Sequence, residues 1–131
     1  MSAATEVKAR LVALGSLPTI TIGYMPDNGD IAIGTIYEYS GAPAERGFGV
    51  VGVKYEHPAL QIVFRGAPHD YDGPRAHAEI AYRNLAEVQA TTLSGTEYLQ
   101  IDPQQTPFKI RPTDENKRHY LGFNAYIHKG V

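Results

Sequence analysis

A chain of 131 residues with 43% hydrophobic and 20% charged side chains has the size and composition of one globular domain, long enough to close a core by packing alone. The absence of cysteine excludes disulfide scaffolds, thiolate metal sites and thiol nucleophiles together, and a formal net charge of -2 gives no general attraction to nucleic acid or anionic membrane. No apolar run approaches the ~20 residues of a membrane span, and the charged start Met1–Lys8 lacks an apolar stretch of signal-peptide length, so a product made and folded in the cytosol is expected.

In chain order, residues 2 to 14 read as a short amphipathic helix. Ser2 is placed to cap it, Val7, Leu11 and Leu14 share a face, and Gly15 ends it. Thr19–Gly23 is strand-like and gives way to Tyr24-Met25-Pro26-Asp27-Asn28-Gly29-Asp30, a loop with Pro-Asp and Asn-Gly turn signals. Ile31–Ser40 reads as a strand, and Gly41–Gly49 as a long connection containing Gly and Pro. Leu60, Ile62 and Phe64 alternate with Gln61, Val63 and Arg65 in a half-buried strand that stops at Gly66.

A second helix is predicted from about Arg75 to Ala90, capped by Asp72 or Gly73, with Ala81, Leu85 and Val88 as its apolar stripe. Arg75, Glu79, Arg83 and Glu87 recur every fourth position with alternating sign, the pattern of a solvent face with weak i,i+4 pairs. Strands are expected at Glu97–Asp102, Phe108–Arg111 and Tyr120–His128. Alternating strands imply one covered sheet face. The expected fold is therefore one α+β domain over residues 1–131, with a single mixed or antiparallel sheet of about five strands and two helices packed on one face.

Chemical motifs are sparse. His69, Asp70, Asp72 and His77 could supply imidazole and carboxylate ligands, but their spacing matches no specific metal signature, and the acids sit where a helix N-terminus favours them. Gly47-Phe48-Gly49-Val50-Val51-Gly52 spells a dinucleotide fingerprint without the preceding strand and following helix that would give it meaning. Basic residues are scattered rather than clustered with aromatics. No catalytic residue, cofactor or metal site is predicted.

The aromatic balance is more informative. Nine Tyr stand against four Phe and no Trp, and Tyr tolerates half-burial because its ring gives contact area while its hydroxyl stays hydrated. The last strand puts Leu121, Phe123, Ala125 and Ile127 on one side and Tyr120, Asn124 and Tyr126 on the other. The first set reads as core. The second reads as a candidate subunit interface.

The order of segments as a whole resembles the tail terminator proteins of long-tailed bacteriophages, a group that includes minor capsid and tail-completion proteins. The carriers are Ile31–Tyr39 ending in Ser40-Gly41, Pro58–Gly66 leading into the helix through Leu85, Tyr98-Leu99-Gln100-Ile101, Pro107, and Asp114–Arg118 leading to Asn124. The Met25-Pro26-Asp27 loop fits the pattern, and the Gly41–Gly52 connection departs from it in length. The resemblance implies a structural assembly protein, not an enzyme. It implies a homo-oligomeric ring, usually hexameric, that caps the tail tube, ends its polymerisation and offers a surface to the head connector. DNA would pass through the lumen without specific binding, and the protein would reside in the tail-neck region of the virion after assembly in the host cytoplasm. Tyr24, Met25, Asp27, Arg46 and Phe48 are the candidate contacts with tube or connector, since loops on a rigid sheet are where partner contacts concentrate. The alternatives are another neck, head-completion or tube protein, and a small enzyme using His69, Asp72 and His77.

Overall fold

The computed structural model of the protein describes residues 2–27, 31–45 and 55–130. Over them the chain forms helix α1 (Ala3–Val12), strands β1 (Ile20–Ile22), β2 (Ile33–Glu45) and β3 (Tyr55–Arg65), and helix α2 (Asp72–Ala86). Strands β4 (Gln89–Leu93), β5 (Thr96–Pro103), β6 (Phe108–Arg111) and β7 (Tyr120–Gly130) complete it. The class is α+β, as expected, but the sheet has seven strands rather than about five. Their order is β1-β2-β3-β7-β5-β4, with β6 also paired to β7. Among the described residues only β1 and β2 run parallel, and every other pair is antiparallel.

Two corrections enlarge the sheet, one adding a strand and the other lengthening one. β4 carries no apolar alternation in Gln89-Ala90-Thr91-Thr92, and its strand character comes from pairing with β5, for example Thr91 opposite Tyr98. The stretch Gly41–Glu45 is the outer part of β2 and not a loop. Register shifts after Tyr39 and after Ala42 absorb its Gly and Pro, and such bulges are where a strand tolerates them. Gly41 is required by proximity: a Cβ there would lie 1.8 Å from the His57 carbonyl oxygen. The remainder of the expected connection, and with it the Gly47–Gly52 fingerprint, lies outside the described residues.

Both helices cover the same sheet face. In α1 the Ser2 hydroxyl accepts the Thr5 N–H at 3.2 Å, and the helix buries Ala3, Ala4, Val7 and Leu11. Leu14, expected in the stripe, is exposed beyond the helix end, whereas Glu6 is fully buried and accepts a hydrogen bond from the Tyr98 hydroxyl at 3.0 Å. For α2 the capping acceptor is Asp70, which takes the Gly73 N–H at 2.9 Å; neither Asp72 nor Gly73 caps. The helix ends at Ala86, so Val88 joins the core from the following turn and Glu87 leaves the charge row. Of that row, Arg75–Glu79 at 3.4 Å is the ion pair found among the described residues. Ile36, Leu60, Ile62, Phe64, Ile101, Leu121, Phe123, Ala125 and Ile127 complete the core from the sheet side.

Candidate functional site

Among the described residues, the opposite sheet face carries no helix. Because side chains alternate along a strand, the burial of Leu121, Phe123, Ala125 and Ile127 sends Tyr120, Asn124 and Tyr126 to this free face. Their partners on β3 are Arg65, Gln61 and Ala59. Gln61 donates to the Asn124 side-chain oxygen at 3.2 Å, and the Tyr39 hydroxyl donates to Gln61 at 3.3 Å, giving a polar ladder across three strands. Tyr39 and Tyr126 are about half exposed, and Tyr24 is 64% exposed. Tyr120 differs from them. It is buried at 7% exposure, so it adds almost no surface of its own.

What Tyr120 does instead is fix a turn. Asp114 accepts the backbone N–H groups of Asn116 and Arg118 at 2.9 Å each, the Arg118 Nε–H at 2.8 Å and the Tyr120 hydroxyl at 2.7 Å. An aspartate with its side chain folded onto its own turn stabilises such a bend, and Lys117 takes the left-handed conformation that closes it, with φ 62°. Burial by itself would raise the Asp114 carboxyl, but these hydrogen bonds and the adjacent Arg118 charge outweigh it and hold Asp114 well below the usual carboxylate range. Burial likewise opposes the Arg118 charge, yet its bonds to Asp27 and Asp114 win and raise its affinity for the proton. The Tyr120 hydroxyl is pushed up by burial and by donating to Asp114. Arg111 lies over the Tyr120 ring, 4.6 Å from its centroid.

The Tyr24–Asp27 loop is held to this constellation by two buried arginines. Asp27 pairs with Arg118, and the Pro26 carbonyl accepts from Arg65 Nη1 at 2.7 Å. The Tyr24 carbonyl accepts from the Thr21 and Thr35 hydroxyls at the loop's other end. Between loop, turn and sheet lies a groove of about 610 Å3, with Arg65, Tyr37, Gln61 and Arg118 in its walls. With Asp114 and Arg118 each held in its charged form by the other, the arrangement suits anchoring and recognition. The structure therefore brings Met25, Asp27 and Tyr120 to one groove, with Tyr24 at the base of the same loop outside its walls and Asn124 and Tyr126 farther along the same face; Arg46 and Phe48 lie outside the described residues.

Sequence reasoning missed Arg65 and Arg118 as site residues, although both are nearly inaccessible at 1% and 2%. A signal was present for each. Arg65 falls in phase with Gln61 and Val63, on the same face as Tyr120, and Asp114 and Arg118 stand at pairing distance in the sequence just before a Tyr. The His69, Asp70, Asp72 and His77 group does not converge: Asp70 caps α2, while His77 packs beside Phe64 with ring centroids 6.0 Å apart. Burial lowers the His77 proton affinity, partly offset by Asp70. Elsewhere on the free face, His128 Nδ1 meets His57 Nδ1 at 2.7 Å, and His57 Nε2 meets Glu45 at 2.8 Å. Among the described residues no group of three or more His, Asp or Glu side chains is arranged to hold a metal ion.

The family model described as bacteriophage tail terminator protein matches residues 10–129, nearly the whole chain. The chain belongs to the bacteriophage tail terminator family. No curated protein matches it. Membership makes this tail terminator a structural component of the phage tail. The matched span takes in β1 to β6, all of β7 but its last residue, the groove and the Asp114–Arg118 turn. No helix among the described residues is long and apolar enough to cross a membrane.

Proposed function

We propose that the terminator assembles into a closed homo-oligomeric ring, six subunits being the family habit. The ring caps the tail tube, ends its polymerisation and presents a surface to the head-connector protein. The observation that carries this reading is the free sheet face with half-exposed Tyr39 and Tyr126 on it, next to a helix-covered face that is chemically different. A ring needs two unlike patches on each subunit, so that one meets the other of its neighbour and the rotation closes. Tyr is enriched in such contacts because it buries area without losing its hydrogen bond. Tyr126 is the centre of the proposed patch, with Asn124 beside it; Tyr120 supports the face from below.

The Tyr24–Asp27 loop and the outer β2–β3 arm, whose residues 40–45 are all exposed, are the surfaces for axial partners. The arm continues into the segment that contains Arg46 and Phe48. A net charge of -2 suits a lumen through which DNA slides unheld. In this reading the ring sits in the neck of the virion after assembly in the host cytoplasm. Light scattering and negative-stain imaging of the purified protein, alone and with tail tubes, test the reading. Rings, or an oligomer that grows with concentration and binds tube ends, are expected, and Tyr126→Asp weakens them. A protein that stays monomeric at high concentration and ignores tail tubes overturns the proposal.

A further inference from the structure

Among the described residues, the buried charged group on the free face with unfilled hydrogen-bonding capacity is Arg65. Its Nη1 donates to the Pro26 carbonyl at 2.7 Å, while Nε and Nη2 are buried without a hydrogen-bond partner. These two nitrogens form one edge of the planar guanidinium, with parallel N–H groups spaced to meet both oxygens of a carboxylate. A buried cation with an unfilled edge is costly, because the group has left water without replacing its bonds. The neighbouring arginines do not share this state: Arg118 is matched by Asp27 and Asp114, and Arg111 lies on the Tyr120 ring.

From this geometry we infer that Arg65 is a carboxylate socket in the groove wall, roofed by the Met25–Asp27 segment. The roof is held at its far end by Asp27, whose side chain is 87% exposed, through its pair with Arg118. Lifting it breaks two contacts, the Asp27–Arg118 pair, one member of which is solvated, and the Pro26 carbonyl–Arg65 Nη1 hydrogen bond, a local opening rather than unfolding. The space beneath and beside it, about 610 Å3, exceeds what a lone carboxylate fills. Tyr37, Tyr39 and Gln61 continue the wall, offering rings and an amide to the atoms next to the carboxylate. The ligand class is thus a carboxylate, carried either on an acidic peptide segment or on a small free acid.

Titration of the full-length protein with two probes separates these sources: acetyl-Ala-Asp-Ala-amide and free succinate, each beside its carboxamide analogue. The readouts are the side-chain Nε–H signal of Arg65 in a protein labelled with nitrogen-15 arginine, and the melting temperature. A saturable downfield shift of that signal is expected with an acid and not with its amide. A response tenfold stronger to the peptide assigns the socket to protein partners, and a response equal or stronger to succinate assigns it to small acids. Arg65→Lys keeps the charge and loses the fork, so binding falls at least tenfold. Asp27→Asn frees the roof while leaving Arg65 in place, and tightens binding several-fold because the open state is more populated. Equal responses to acid and amide, or no saturable response in either the wild type or Asp27→Asn, overturn the inference.

Discussion

Replacing Asp114 by Asn tests whether the turn before β7 is held by charge or merely by shape. The substitution keeps the size of the side chain, and its Oδ1 can still accept the N–H groups of Asn116 and Arg118. The second position changes from an acceptor to an NH2 group, facing Arg118 Nε at 2.8 Å and the Tyr120 hydroxyl at 2.7 Å. The hydroxyl can rotate to accept; the guanidinium cannot, since it has only donors. One charge-assisted bond to a 2%-exposed arginine is therefore lost. Breaking a fully buried pair costs ~3–5 kcal/mol, and the surviving Asp27 contact reduces this to about 2–3 kcal/mol, in line with a single hydrogen bond to a charged group. Urea denaturation at pH 7 should show that loss, together with a melting temperature lower by roughly 8–10 °C. The effect must also depend on pH. The folded-state pKa of Asp114 is depressed, so its contribution is complete above the unfolded value of about 3.9 and fades as pH falls toward the folded one. The gap between wild type and Asp114→Asn should therefore narrow in acid. A difference under ~0.5 kcal/mol at pH 7, or a gap unchanged between pH 6 and pH 2.5, would refute the assignment.

Other sites give independent expectations. Tyr98→Phe leaves the fully buried Glu6 without the bond it accepts and should cost ~1.5–3 kcal/mol in denaturant titration, whereas Glu6→Gln, which removes a buried charge with one unpartnered oxygen, should cost less than half as much. His77 has a lowered folded-state pKa, so the unfolded chain takes the proton first and stability declines as pH falls through about 6.5; His77→Leu should flatten that part of a stability–pH curve. Gly41→Ala drives a Cβ into the His57 carbonyl, and hydrogen exchange should show the outer β2–β3 pairing loosened with the inner pairing from Ile33 to Tyr39 intact. Tyr126→Asp, at a half-exposed position, should change stability by less than ~0.5 kcal/mol while lowering the oligomer fraction in light scattering; an unaltered fraction removes Tyr126 from the interface.

What the sequence made legible, and what it hid, follows from the range of the interactions involved. The core faces of β3 and β7 and the start of α1 are local patterns, alternation and capping chemistry, and they can be read residue by residue, whereas the cap of α2 shifts from the expected Asp72 or Gly73 to Asp70. The strand character of Gln89–Leu93 is not local, because it exists through pairing with β5, and neither is that of Gly41–Glu45, where bulges fit Gly and Pro to the partner strand. The site was hidden for the same reason. Arg65 and Arg118 lie 53 positions apart in sequence, and each alone looks like an ordinary surface charge. Only when β3 and β7 pair do Arg65 and Tyr120 stand opposite each other, and only then does the Met25–Asp27 loop gain both of its anchors. That coupling changes what the loop can be. As a free surface loop it could be deleted without harm to the fold. Tied to two buried guanidinium groups, it cannot, because removal would take the Pro26 carbonyl from Arg65 and the Asp27 carboxylate from Arg118. A partner that engages this loop therefore acts on the groove and on the start of β7 at once, because Asp27, Arg118, Asp114 and Tyr120 form one connected set of side chains rather than independent surfaces.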